Sequence, residues 1–178
     1  MTQQRRPARG TLIGQGRTAE VYVWGDDRVL KLYHTEWQAS WAEREAHITA
    51  QIAAAGLPAP AVEGVIEVDG RHGILFERIA GPSLLRQFEA KPWTLTRSLR
   101  AFTDLHLAMH ARVIPDLPSR REQLVRQIQD APGVPDRIRV AALTQLQRLP
   151  EGNAVCHGDY HPDNVLMTRR GPIIIDWG

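Results

Sequence analysis

The chain has 178 residues, 43% apolar and 24% charged, with 22 lysines and arginines against 20 aspartates and glutamates. That composition suits a globular protein with its own core and gives no strongly basic field for nucleic acid. Its uninterrupted apolar runs fall well short of the roughly 20 residues a membrane-spanning helix needs.

Residues 1–9 are polar and read as a disordered lead-in. No apolar stretch follows their arginines, so they do not form a signal peptide. Strand-like segments follow at Gly10–Gly14, Glu20–Trp24 and Arg28–Tyr33, the last two joined by the tight-turn sequence Gly25-Asp26-Asp27. A long helix is expected over Glu36–Ala55, closed by Gly56 and kept from resuming by Pro58. Val62–Val68 and Arg71–Glu77 flank Asp69-Gly70, a second hairpin signal. Arg78-Ile79-Ala80-Gly81-Pro82 reads as a linker, and Ser83 as the N-cap of a short helix.

Helices then dominate, at Thr94–Arg112, Ser119–Asp130 and Pro135–Arg148, with Pro115, Pro118, Pro132 and Gly133 between them. Short strands return at Val155–His157, Asn164–Met167 and Ile173–Ile175. The expected architecture is α+β in two lobes, a β-rich lobe over 10–80 and a mainly helical one over 81–178. The single cysteine, Cys156, excludes an intrachain disulfide and a cysteine-based zinc site. Set in Ala154-Val155-Cys156, it reads as a small buried hydrophobe, in a chain expected to be cytoplasmic.

Gly14-Gln15-Gly16-Arg17-Thr18-Ala19-Glu20-Val21 lies between two expected strands. Glycines there let a backbone turn approach phosphate oxygens, although Ala19 stands where a third glycine would, and a plain hairpin explains Gly14 and Gly16 equally well. Lys31 falls on the strand face opposite Leu30 and Leu32; it either faces solvent or meets a partner. Trp37, Trp41, Ile48 and Ile52 recur at helical spacing, and Glu45 falls at the edge of their stripe. A carboxylate there needs a partner, and Lys31 is available, with Arg44 and Arg17 as alternatives.

The most specific pattern is His157-Gly158-Asp159-Tyr160-His161-Pro162-Asp163-Asn164, followed by Asp176 after the apolar Ile173-Ile174-Ile175. Asp159 can accept a proton from a hydroxyl, and Asn164 and Asp176 offer the oxygen ligands that Mg²⁺ prefers. His106 and His110 stand four apart on one helix. His106 shares a stripe with Leu95, Leu99, Phe102 and Met109, so core packing is expected of it rather than metal binding.

HGDYHPDN followed by IIIDWG resembles the signature of the aminoglycoside phosphotransferases and the related choline, homoserine and fructosamine-type kinases, which share the protein-kinase fold. The resemblance takes in Gly14 to Val21, Lys31, Glu45 and the Phe76–Gly81 hinge in the same order. It implies a two-lobe kinase-like fold that uses ATP and Mg²⁺ to phosphorylate a hydroxyl of a small-molecule acceptor. Asp159 would be the catalytic base, and Asn164 and Asp176 the metal ligands. Gly14 and Gly16 would lie at the phosphates, Lys31 would hold the α- and β-phosphates and be positioned by Glu45, and the backbone of Glu77 to Ile79 would meet adenine.

His157 would be a scaffold residue, and His161 would face the transferred phosphate. Relatives continue beyond the point equivalent to Gly178 with further helices, so an incomplete second lobe with exposed apolar surface is expected. Two other readings stand beside this one: a nucleotide-binding pseudokinase or inactive truncated domain, and a metal-dependent hydrolase built on His157-x-Asp159-x-His161. The sequence does not fix the acceptor or the oligomeric state.

Overall fold

The computed structural model describes residues 10–177; the expected lead-in at 1–9 lies outside the described residues. The first lobe contains β1 (Leu12–Gln15), β2 (Ala19–Trp24), β3 (Arg28–Tyr33), α1 (Ala39–Ala54), β4 (Val62–Val68) and β5 (Arg71–Glu77). Its five strands form one antiparallel sheet in the order β1-β2-β3-β5-β4. The β4–β5 turn places Asp69 and Gly70 at φ 53° and 71°, the left-handed pair that a tight hairpin of this twist requires.

β3 is covered on both faces. Leu30 and Leu32 pack with Trp24 on one side, while Tyr33 and half-buried Val29 join Ile74, Phe76, Ala42 and Ala46 on the side facing α1. Lys31 belongs to this second face and is a cation set into an otherwise apolar layer.

α1 begins three residues later than expected and ends in a Schellman cap. Leu57 N–H donates to Ile52 O (3.2 Å), Gly56 N–H donates to Ala53 O (3.0 Å), and Gly56 adopts φ 78°. Its buried stripe is Ala42, Glu45, Ala46, Ile48, Thr49 and Ile52. Trp41, expected inside, is 48% exposed and meets Trp37 edge-on at 4.6 Å. Small Ala42 and Ala46 take the positions against the sheet, which turns Trp41 outward and moves Glu45 from the edge of the stripe into it.

The second lobe comprises α2 (Leu84–Ala90), α3 (Leu95–His110), α4 (Arg120–Asp130), α5 (Asp136–Arg148) and the hairpin of β6 (Val165–Thr168) and β7 (Gly171–Ile174). Ser83 caps α2 by accepting from Arg86 N–H at 3.3 Å. The expected strand at Val155–His157 does not form. Val155 N–H donates to Arg112 O at 3.0 Å, and no ladder extends from that bond. Val155 and His157 turn inward there and Cys156 outward, so the cysteine is exposed and not buried.

On α3 the buried side is Ser98 and Met109, with half-buried Phe102 and Leu105; Leu95 and Leu99, expected in the stripe, are exposed. His106 is half-buried and stacks on Tyr160 with ring centroids 5.3 Å apart. Among the described residues no helix is long and apolar enough to cross a membrane.

One core crosses between the lobes. Ile48, Ile52 and Leu57 pack with Leu84, Met109, Val155, Val165, Ile174 and Trp177, and Ile174 N–H donates to Pro58 O at 2.8 Å. The linker also runs along β6: Met167 N–H donates to Pro82 O at 2.9 Å, and Ser83 bridges Leu166. A Cβ on Gly81 would stand 2.1 Å from the Met167 carbonyl oxygen, a rigid backbone atom. Gly81→Ala is therefore expected to cost about 1–3 kcal/mol by overpacking, whereas Gly152→Ala, with nothing within 4 Å, should leave thermal unfolding nearly unchanged. Equal midpoints for the two variants would contradict this close approach.

Candidate active site

Three elements converge on Lys31. Its Nζ donates to both Glu45 oxygens, at 2.7 and 2.8 Å, and also to Asp176 Oδ1. β3 supplies the lysine, the buried stripe of α1 supplies Glu45, and the segment after β7 supplies Asp176. Burial alone would depress the Lys31 ammonium, but the charges of Glu45 and Asp176 outweigh it and hold Lys31 above its usual range. Tyr33 adds a bond that sequence reasoning missed: its hydroxyl donates to Glu45 Oε2. Burial, followed by the charge of Glu45, pushes the Tyr33 hydroxyl far above the ordinary tyrosine range, so it remains a donor. The alternation that put Lys31 toward α1 puts Tyr33 there too, and that was the available signal.

Asp176 adopts φ 67°, a left-handed conformation uncommon outside glycine. That turn directs its half-exposed carboxylate to Lys31 while Trp177 returns to the core, where Trp177 Nε1–H donates to Ile174 O at 3.0 Å.

Asp159, His161 and Asn164 share the loop before β6. Asp159 is largely exposed, with His161 Nε2 3.7 Å from its Oδ2. Asn164 is buried, and its side-chain amide donates to Asp159 O at 3.1 Å, leaving its side-chain oxygen as an acceptor. Ile175 N–H donates to Asn164 O at 2.9 Å, which ties this loop to the backbone one residue before Asp176. Ser83 Oγ donates to Asp163 Oδ1 at 2.6 Å and secures the loop from the other side.

His157 is the second tie. Its Nε2–H donates to Ile175 O at 2.9 Å, and its Nδ1 accepts from Asp159 N–H at 3.3 Å. Both ring nitrogens are committed to backbone groups, so this histidine is not a free metal ligand. Among the described residues no three His, Cys, Asp or Glu side chains converge as a metal site. Burial depresses the His157 imidazole below its usual range, against the pull of the Ile175 carbonyl.

The unfolded chain protonates this group near pH 6.5, and the folded chain does so only at lower pH. Its stabilising contribution is thus present above about pH 6.5 and is lost as pH falls through the folded value. Thermal midpoints are expected to drop as pH falls below about 6.5, with a shallower slope in His157→Asn. An identical slope in that variant would remove His157 as the source.

The remaining predicted residues lie around this centre. Gly14 pairs with Val21, and Gly16 N–H donates to Ala19 O at 2.8 Å, so the glycine segment is the β1–β2 turn. His34 also donates to Gly16 O at 3.3 Å. Ile13, Val29, Glu77, Ile79 and Ala80 line an open cleft beside the linker. The Glu77 side chain pairs with Arg170 of the β6–β7 turn. Glu77 N–H donates to Ala61 O and Arg78 N–H to Asp27 O, while Ile79 N–H makes no backbone hydrogen bond among the described residues.

A β-sheet lobe with one crossing helix, joined to a helical lobe with a motif-bearing hairpin, is the two-lobe protein-kinase-like fold. The chain belongs to the phosphotransferase enzyme family (APH), whose family model matches residues 9–178. Among solved structures, aminoglycoside phosphotransferase APH(3'')-Id from Streptomyces rimosus, in complex with ADP and streptomycin, is 19% identical with a TM-score of 0.60, over 89% of this chain and 67% of that one. Aminoglycoside-3'-phosphotransferase of type VIII is 20% identical with a TM-score of 0.57, over 93% of this chain and 68% of that one. The chain thus spans about two thirds of the length of these relatives. A comparison with curated protein sequences finds no significant match.

Proposed function

We propose that this protein is an ATP- and Mg²⁺-dependent phosphotransferase that moves the γ-phosphate to a hydroxyl of a small molecule. The observation that carries this reading is the bridge from Lys31 to Glu45 and Asp176. It joins the strand, helix and post-hairpin segment that phosphoryl transfer needs around one triphosphate. In this reading residues 10–80 are the nucleotide-binding lobe and 81–178 form part of the catalytic lobe.

The donor set fits magnesium. The free side-chain oxygen of Asn164 and the half-exposed Asp176 carboxylate would be its protein ligands, a small oxygen set to which phosphate and water add. Bound there, the ion would neutralise phosphate charge. Lys31, kept cationic and aimed by Glu45, holds the α- and β-phosphates. Gly14 and Gly16 bring the β1–β2 turn over them. The Glu77 carbonyl and the Ile79 N–H serve the adenine edge.

Asp159, exposed and held through its backbone by His157 and Asn164, orients the acceptor hydroxyl and takes its proton. As that oxygen bonds to the γ-phosphorus, the bond from phosphorus to the bridging oxygen breaks and ADP leaves. His161 Nε2–H, beside Asp159, faces the phosphate in transit. Two aminoglycoside phosphotransferases share the fold, and one was solved with ADP. Those likenesses support the nucleotide and leave the acceptor class at small-molecule hydroxyls.

Thermal unfolding with ATP, with and without Mg²⁺, tests the reading. At about 100 times the dissociation constant, bound nucleotide adds roughly 2.7 kcal/mol, or about 2–4 °C for each kcal/mol in a chain of this size. A magnesium-dependent rise is expected. Cooperative unfolding with no response to nucleotide would favour the pseudokinase or inactive-domain reading.

A further inference from the structure

The β1–β2 turn consists of Gly16, Arg17 and Thr18, and from within it is closed by one bond, Gly16 N–H to Ala19 O at 2.8 Å. A short turn held so lightly opens readily, but His34 grips this one from outside. β2 and β3 pair Ala19 with Tyr33, so His34 stands opposite Thr18, one step past the ladder. Its backbone N–H donates to Thr18 O at 2.9 Å, and its ring Nε2–H donates to Gly16 O at 3.3 Å. One residue thus takes the carbonyls on both sides of Arg17.

That grip also aims a donor. In a planar trans peptide the C=O and the following N–H point in opposite directions. Holding Gly16 O toward His34 therefore turns the Arg17 N–H the other way. Among the described residues that N–H makes no backbone hydrogen bond.

His34 is itself braced. Arg71 Nε–H donates to Tyr33 O at 2.8 Å, and its Nη2 donates to Leu32 O at 3.1 Å and to Glu20 Oε2 at 2.8 Å. The Tyr22 hydroxyl donates to the same Glu20 oxygen at 3.0 Å, and the Tyr33 hydroxyl donates to Glu45. The segment leading into His34 is therefore tied to β2, β5 and α1 at once. It continues the strand that carries Lys31 three residues earlier.

We propose, on the phosphotransferase reading above, that His34 is a positioning residue for the nucleotide phosphates. It clamps the β1–β2 turn so that the Arg17 amide and Lys31 keep one fixed spacing as phosphate donors. His34 acts through Gly16 and Thr18 and touches no reacting atom.

Two readouts test this on the full chain. Trypsin cleavage of the native protein at the Arg17–Thr18 bond, followed by mass spectrometry without nucleotide, reports opening of the turn. His34→Ala is expected to speed that cleavage about three- to tenfold relative to other arginine sites, the worth of one hydrogen bond. His34→Gln, whose side-chain amide can still donate, should restore the parent rate. The second readout is affinity, from thermal unfolding titrated with Mg-ATP and, separately, with adenosine. His34→Ala should weaken ATP by a similar factor and leave adenosine, which has no phosphates, unchanged; His34→Gln should recover ATP affinity.

Unchanged cleavage in His34→Ala overturns the clamp. Unchanged ATP affinity, or equal loss of ATP and adenosine affinity, overturns its phosphate role. A parent protein that binds neither ligand would refute the phosphotransferase reading and the phosphate role with it, while the cleavage rates would still decide whether His34 holds the turn.

Discussion

Replacing Asp176 with asparagine is expected to lower magnesium-dependent conversion of ATP to ADP by about 10²–10³-fold, with the fold intact. Asparagine has nearly the same shape and tolerates the left-handed backbone that Asp176 adopts at φ 67°, so strain does not confuse the result as it would with alanine. What is lost is the charge, which faces Lys31 and would face the metal. Asp159→Asn should lower turnover while leaving nucleotide-induced stabilisation in place, because its side chain is exposed and in the proposed mechanism serves the acceptor. Asp176→Asn should weaken both. Turnover close to that of the parent in Asp176→Asn would remove its assigned role.

The second large effect is on stability. Glu45→Ala leaves Lys31 with Asp176 alone and strands the buried Tyr33 hydroxyl, which donates to Glu45. Breaking a buried pair by removing one partner costs about 3–5 kcal/mol. Since Asp176 still offsets Lys31, the lower end is expected, a fall of roughly 6–12 °C in the thermal midpoint. Glu45→Gln keeps an acceptor for both donors and should fall between alanine and the parent. A midpoint within about 2 °C of the parent in Glu45→Ala would show that the pair contributes little. In that case Asp176 alone would be sufficient to hold Lys31.

The sheet was readable because its turns announce themselves. Gly25-Asp26-Asp27 and Asp69-Gly70 fixed the ends of β3, β4 and β5 at the predicted residues. The pairing of Lys31 with Glu45 was readable for a different reason: a cation in an apolar strand and a carboxylate on a buried helical stripe each need a partner, and each offers one. What periodicity could not supply was which neighbour a residue faces. Trp41 has the spacing of the buried stripe, but the layer against the sheet admits alanine there, so its ring stays outside. Cys156 sits among apolar residues, yet the extended backbone alternates and spends its inward positions on Val155 and His157. Tyr33 was hidden by its ordinariness as an aromatic residue in a strand, since its hydroxyl matters through one contact made across the fold.

The linker has a mechanical consequence. A joint bends over the backbone that nothing else holds. Here Arg78 is pinned to Asp27 on one side, and Pro82 and Ser83 are laced to β6 on the other. The free length is Ile79, Ala80 and the tightly fitted Gly81. Opening of the cleft must be absorbed largely by rotation at Ile79 and Ala80, or else pull the hairpin along. Because that hairpin is bonded at Ile174 to Pro58 and at Ile175 to Asn164, a pull on it reaches Asp176 and Asn164 together. In the function proposed above, widening the mouth for nucleotide exchange would then displace Asn164 and Asp176, the proposed metal ligands, as one body, coupling product escape to release of the ion.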